Sequence, residues 1–587
     1  MTRAGVLAAV CAAFACAAPP PGPPAATPVS APASVAPSVT AAPEQPPLHV
    51  KILGFNDFHG QLSPKRELGR PIGGAAVLAA YLRAALAGRE DHTFIVHAGD
   101  FVGASPPNSG LLQDEPSLDF LNTLAAASSC DGAPARGCHV IGGLGNHEFD
   151  EGKDELLRLL RGGNYRTGPF LDDPWRGARY EVVCANVLER ATGKPLLPPY
   201  AIRAVEGVPI AFIGAVLKAA PSIVNPSGVA DLTFLDEADA VNAYVPELAR
   251  QGVRAIVLQI HQGDTQAPYA GPTRSDAPPA VGALGRVIAR LDDEIDVVVS
   301  GHTHEFTNAV IPNGHGKPLL VVQARSAGVA YADIDLALDR HTGDVVEKSA
   351  SIVPTWGDEG PGLTPDPAVA RLVAAADARV KDTVERVVGT AKVAVSAVPN
   401  DAGESALGDL VADAERAALH ADFALMNPGG LRRDLDAGKV TWGELFSVQP
   451  FGNTLVGVRM TGARLIELLN HQWGGAQPAG GRVLQISGFT YAWDASVPEG
   501  GVRVLELRDA AGRPLKAYKR YLVAMNSFLA AGGDAFPALV PATRGAAKPG
   551  AAPSDLDALA SYLKSLPQPF SAKTDGRIRR LERIPGK

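Results

Sequence analysis

The sequence predicts an α/β protein: a layered α/β domain, a connecting helix, and a smaller α+β domain. Three observations carry that prediction. Short apolar runs of strand composition alternate with helical patterns through residues 48–360. A stretch opening on prolines, with mixed charges at helical spacing, breaks this texture at 361–390. Strand and helix patterns resume at 391–570, and a tail follows at 571–587. A chain of 587 residues is also too long for one hydrophobic core.

The N-terminus, "MTRAGVLAAVCAAFACAAPPPGPP", places Arg3 before an apolar run. Residues 1–16 are expected to be a secretory signal, too short to span a bilayer. Cys16 is a candidate lipidation site, with simple cleavage as the alternative. Residues 17–47 hold eleven prolines and one charge, Glu44, which predicts an extended tether rather than a core. A membrane is therefore expected only through an N-terminal lipid anchor, and the protein is expected to be exported. Cys130 and Cys138 flank "DGAPARG" and are expected to pair in an oxidising compartment, two free thiols being the alternative. A net charge of −8 argues against a nucleic-acid partner but leaves small anionic substrates open, because a cleft can oppose the global sign.

Strands are expected at "HVKILGF" (49–55), "TFIVHAG" (93–99), "HVIGGLG" (139–145), "AIVLQIH" (255–261) and "DVVVSGH" (296–302). "AAVLAAYLRAALAG" (75–88) and "DELLRLLRG" (154–162) read as helices, and 364–390 as an interdomain helix. Beyond it, "ALGDLVADAERAAL" reads as a helix and "NTLVGVRM" and "KRYLVAMNS" as strands.

Each strand of the first domain ends in metal-ligand types. "NDFHG" gives Asp57 and His59, "AGD" gives Asp100, and "GNHEFD" gives Asn146, His147 and Asp150. "HQGD" opens on His261, and "GHTH" gives His302 and His304. Ligand crevices in open α/β sheets lie at the carboxyl ends of strands. Any one of these motifs alone fits a cap or a buried core histidine; their order and common placement carry the functional reading. Oxygen ligands mixed with imidazoles suit divalent first-row ions. A pair of such ions needs a shared carboxylate, for which Asp100 is the natural candidate, and the pair suits hydrolysis of a phosphate ester.

The series D-x-H, G-D, G-N-H-E-x-D, H and G-H-x-H resembles the calcineurin-like metallophosphoesterases, and "NDFHG", "GNHEFD" and "GHTH" together resemble the 5′-nucleotidase family. The resemblance covers residues 49 to about 560. It implies a four-layered α/β sandwich, an interdomain helix and a C-terminal α+β domain that binds substrate. It implies a first ion, among Zn, Mn, Mg and Ca, on Asp57, His59, Asp100 and His304, and a second on Asp100, Asn146, His261 and His302. His147 would contact the phosphate and Asp150 would orient it, leaving Glu148 a structural role. "MNPGGLRRDL" supplies Asn427, Gly429, Gly430 and Arg432 for substrate; Phe451 and Phe528 would clamp a nucleobase and Asp534 would bond the ribose. Relatives often carry an arginine before "ESALGDL", where this chain has Asn400, Asp401, Ala402 and Gly403, with Arg433 as a candidate substitute.

The function so implied is cleavage of nucleoside 5′-monophosphates or related nucleotides. Alternatives on the same fold are a nucleotide-sugar or 2′,3′-cyclic nucleotide phosphoesterase and a thiosulfohydrolase. A catalytically dead surface binding protein is the alternative outside enzymes.

Overall fold

The computed structural model describes residue 22 and residues 45–125, 139–276, 282–475, 477–478, 480–539 and 552–582. The expected signal, most of the tether, and the pairing of Cys130 with Cys138 lie outside the described residues. Among the described residues no helix is long and apolar enough to cross a membrane.

All five expected strands of the first region form: Leu48–Phe55, Thr93–His97, Val140–Gly143, Ala255–His261 and Ile295–Ser300. The fully buried, β-branched runs of Thr93–His97, Ala255–His261 and Ile295–Ser300 have the composition of strands covered on both faces. The five strands divide between two six-stranded sheets. Leu48–Phe55, Thr93–His97 and Val140–Gly143 run parallel in one, flanked by Ala330–Leu338 and Val345–Pro354. Ala255–His261 and Ile295–Ser300 run parallel in the other, beside Val208–Val216 and Pro318–Ala324. Ile52, Phe94, Val96 and Ile141 of the first sheet pack against Phe212, Val257, Val299 and Val322 of the second. The outer face of the first sheet is covered by the helices Ala75–Leu86, Glu115–Leu124 and Lys153–Arg161. That of the second is covered by Glu237–Asn242, Val245–Arg250 and Ala283–Ile288. Helices, sheet, sheet and helices make the four layers.

The connecting helix spans Pro367–Val384. Asp366 caps it, its carboxylate accepting from the Ala368 and Val369 amides, and Pro367 fills a position where a missing N–H costs nothing. Val369, Ala376 and Val380 form its buried stripe, packed into the core of the first region. The expectation of helix up to 390 is corrected. After Glu385 the β-branched run of Val387–Ala391 forms a strand, antiparallel to Gly438–Thr441.

Beyond it lie two smaller sheets. One orders Leu455–Thr461, Arg520–Asn526, Phe423–Met426 and Gln485–Ser487. The other joins Val504–Asp509, Phe489–Asp494 and Ile578–Leu581, so part of the tail is a paired strand. Helix Ala406–Ala418 begins at Ser405, whose hydroxyl accepts from the Gly408 amide.

Candidate metal centre and substrate cleft

The carboxyl ends of strands from both sheets meet at one point. The ligand atoms of Asp57, His59 and His304 lie within 4.8 Å of one another, and so do those of Asp100, His261 and His302. Asp100 stands between the groups: its Oδ2 is 3.0 Å from His261 Nε2 and 3.8 Å from His59 Nε2. Asp57 Oδ1 is 3.2 Å from His304 Nε2.

Backbone carbonyls fix which imidazole nitrogen faces the centre. His59 Nδ1 lies 2.9 Å from the Gly103 carbonyl and His261 Nδ1 lies 2.7 Å from that of Ala98. Each Nδ1 therefore faces a backbone carbonyl and each Nε2 turns inward toward the carboxylates, the orientation a ligating imidazole requires.

The backbone is bent sharply here. Asp57, His59, Asp100, His302 and His304 all have positive φ, between 47° and 75°. Side chains with a Cβ rarely adopt this region, at a cost of about 1–3 kcal/mol each, and such residues cluster where function demands a geometry. Close approach adds a second demand. A Cβ on Gly145 would overlap the Asp100 carboxylate, so only glycine lets the "GGLGNHEFD" turn pass behind that side chain.

Two anchoring residues hold the turns. Glu148 accepts from the amides of Gly145, Asp100 and Phe101, lacing the third loop to the second. Burial, with the Asp100 carboxylate close by, pushes its carboxyl up to about 7. Asn56 donates to the Asp57 carboxylate and accepts from the Ala324 amide. Sequence reasoning passed over Asn56, although it sits inside "NDFHG"; an amide beside a ligand carboxylate was the available signal.

The residues fit divalent ions. Asn146 Oδ1 is buried without a hydrogen-bond partner among the described atoms, and His261 Nε2 likewise, despite its nearness to Asp100. An orphaned carbonyl oxygen beside carboxylates and imidazoles is a donor set that fits a divalent cation. Burial alone would raise both carboxylates, yet the histidines around them hold Asp57 low and Asp100 lower still. Burial likewise drives His59 down and takes His302 to about 4. His261 is carried up to about 10 because the Asp100 and Asp57 charges outweigh its burial.

His147, next in the chain, also has a ring nitrogen within 4.8 Å of the His59 and Asp100 ligand atoms, and it is held by its own contacts. Its Nδ1 lies 2.6 Å from Asp150 Oδ2, and its backbone amide donates to Asp100 Oδ1 at 2.8 Å. Burial opposes its charge, but Asp150 and Asp100 prevail and hold its pKa above the ordinary histidine value. Phe451, from the second region, stacks on it with ring centroids 5.9 Å apart and planes 13° from parallel. The Arg432 guanidinium sits 6.0 Å from the Phe451 ring centroid.

Deeper in the second region, Asn427 Nδ2 donates to Asp534 Oδ2 at 2.8 Å, and Asn427 Oδ1 accepts from Asn526 at 2.8 Å. Asp534 is buried and also has positive φ, 55°. Gly429 faces Asp534, Gly430 lies against Asn427, and the Phe528 ring lies flat against Gly533. Phe451 and Phe528 are both half-buried rather than core residues. Arg433 is exposed and pairs with Asp436, three residues on.

A family model described as calcineurin-like phosphoesterase matches residues 50–306, and one described as 5′-nucleotidase, C-terminal domain, matches residues 387–541. The chain is 36% identical over 551 residues to Endonuclease YhcR of Bacillus subtilis, covering 92% of this chain and 42% of that protein. It is 35% identical over 526 residues to Cell wall protein Lmo0130 of Listeria monocytogenes, covering 83% of this chain and 64% of that protein. It thus spans less than two thirds of either relative. Its fold is similar to that of a 5′-nucleotidase precursor from Thermus thermophilus, with a TM-score of 0.72, 28% identity, and coverage of 91% of this chain and 99% of that one.

Proposed function

The chain belongs to the family that joins a calcineurin-like phosphoesterase domain to a 5′-nucleotidase C-terminal domain, and from that premise we propose that it is an exported, metal-dependent hydrolase of nucleoside 5′-monophosphates. The observation that carries this reading is the stack of Phe451 on His147, which sets an aromatic ring of the second region against the phosphoesterase centre.

Asp57, His59, Asp100 and His304 would hold one divalent ion, and Asp100, Asn146, His261 and His302 the other. Bound ions supply Lewis acidity to the phosphoryl oxygens and lower the pKa of water. His147, charged through its contact with Asp150, stabilises the anionic transition state or protonates the leaving oxygen. Phe451 and Phe528 stack on the base, every base having a π-face. Arg432 offers a forked cation to the substrate anion. Asn427, Gly429, Gly430 and Asp534 line the nucleoside side, with Asp534 accepting from the ribose hydroxyls. The catalytic region at 48–360 and the nucleotide-binding region at 391–570 therefore share one substrate.

Export rests on the N-terminal segment and on similarity to a cell wall protein. A second reading, cleavage of phosphodiesters in nucleic acid, is favoured by the similarity to an endonuclease. One panel decides: phosphate release from nucleoside 5′-monophosphates, nucleotide sugars and 2′,3′-cyclic nucleotides with Zn, Mn, Mg or Ca, beside nicking of single-stranded DNA and RNA. The proposal expects the monophosphates to be the best substrates and the protein to bind metal. A protein that binds no metal and releases no phosphate overturns it.

A further inference from the structure

Gln477 and the stretch "GGRV" (480–483) belong to none of the motifs above, yet Gln477 and Arg482 lie against Asp534. The stretch is tied in place. The Arg482 amide donates to the Gln472 carbonyl at 2.8 Å, and the Leu484 amide donates to the Gln472 side chain at 2.6 Å. Gly481 has φ 82° and lies against the Trp473 ring, where a Cβ would overlap it. The chain is thereby forced to turn just before Arg482.

Two side chains here reach Asp534. Arg482 Nε lies 3.7 Å from Asp534 Oδ1, and Gln477 Nε2 donates to the Asp534 carbonyl at 2.7 Å. Arg482 Nη1 donates to Gln477 Oε1 at 3.3 Å, closing the triangle. Asp534 is 6% exposed and Arg482 is 25% exposed, so the pair is largely shielded from solvent. A buried carboxylate is costly unless a cation and donors meet it. Here Arg482 meets Oδ1 and Asn427 meets Oδ2. Val483, next to Arg482, is itself packed closely: a Cβ on Gly403 would press on its side chain.

We propose that Arg482, assisted by Gln477, is a positioning residue for nucleoside recognition: together with Asn427 it holds the Asp534 carboxylate in the cleft. This rests on the nucleotidase reading above. The ligand chemistry it serves is a ribose with free hydroxyls, which need a charged, correctly aimed acceptor.

The test compares AMP with p-nitrophenyl phosphate, which has no nucleoside, in the metal-loaded full chain. Arg482→Ala should raise KM for AMP about tenfold with kcat changed less than about twofold, so the ratio of kcat/KM for AMP to that for p-nitrophenyl phosphate falls about tenfold. Arg482→Lys should restore part of that ratio, and Gln477→Ala should lower it less. An unchanged KM for AMP in Arg482→Ala, or equal losses on both substrates, overturns the assignment. If the wild-type protein cleaves p-nitrophenyl phosphate but no nucleoside monophosphate, the nucleotidase reading falls and takes this one with it. If it cleaves AMP while Arg482→Ala keeps the ratio, only the role of Arg482 falls.

Discussion

Both halves of the molecule bury carboxylates, and they treat them in opposite ways. In the first region Asp57 and Asp100 are fully buried, yet the imidazoles around them hold both below the ordinary aspartate range. In the second region Asp409 and Glu415 are equally buried, and burial pushes Asp409 up to about 9 and Glu415 well above its usual range. Arg577 near Asp409 opposes the shift but is shared with Asp413 and Asp575, and the Glu404 carboxylate reinforces it. The lesson is that burial does not fix the charge of a carboxyl group; its neighbours do. Where histidines converge, the carboxyls stay ionised. Where they do not, the carboxyl keeps its proton.

The contrast can be broken most forcefully at Asp100. Asp100→Ala should strip bound metal and cut phosphate release by on the order of 10³-fold or more, since one side chain serves both ion positions; elemental analysis beside the rate would show it, and full metal content with full activity would refute it. His147→Ala should instead keep the metal and lower kcat by roughly 10²–10⁴-fold. Equal metal loss in both variants would erase the distinction between ligand and catalyst. Phe528→Ala should raise KM for AMP about 10- to 100-fold, the value of about 1–3 kcal/mol for a stacked base; steady-state kinetics decide whether that ring is a clamp or packing.

The smallest effect belongs to the second region. The raised pKa of Asp409 means that the folded state holds this proton more tightly than the unfolded chain. The associated stability is full below the ordinary carboxyl pKa, roughly 4, and is lost as pH rises toward about 9. Asp409→Asn removes the titration, so melting between pH 5 and 9 should flatten and the midpoint at pH 8 should rise by a few degrees, on the order of 1 kcal/mol. An unchanged slope would place the proton elsewhere.

How much of this was legible differs between the halves for the same reason. In the first region the chemistry-bearing types sit at the ends of contiguous apolar strands, so "NDFHG", "AGD", "GNHEFD" and "GHTH" announce themselves. In the second, Asn427 and Asp534 are 107 positions apart and meet only through packing, and the loop bearing Arg482 has no motif at all. The strand at Val387–Ala391 was hidden because a helical pattern runs into it without a break stronger than Gly389.

While the pairing of His147 with Asp150 came only through the family resemblance, the sequence by itself determined the α/β class, five strands and the chemical types gathered at their ends. Those are local facts: alternation, apolar run length and short spacing are written along the chain. Only the tertiary structure decided that the ligands come from two stacked sheets, that five of them sit in the left-handed region, that Asn146 Oδ1 is buried without a partner among the described atoms, and that Phe451 reaches His147. Those depend on contacts between residues far apart in the chain. Such contacts are set by how whole layers pack, which no single segment encodes.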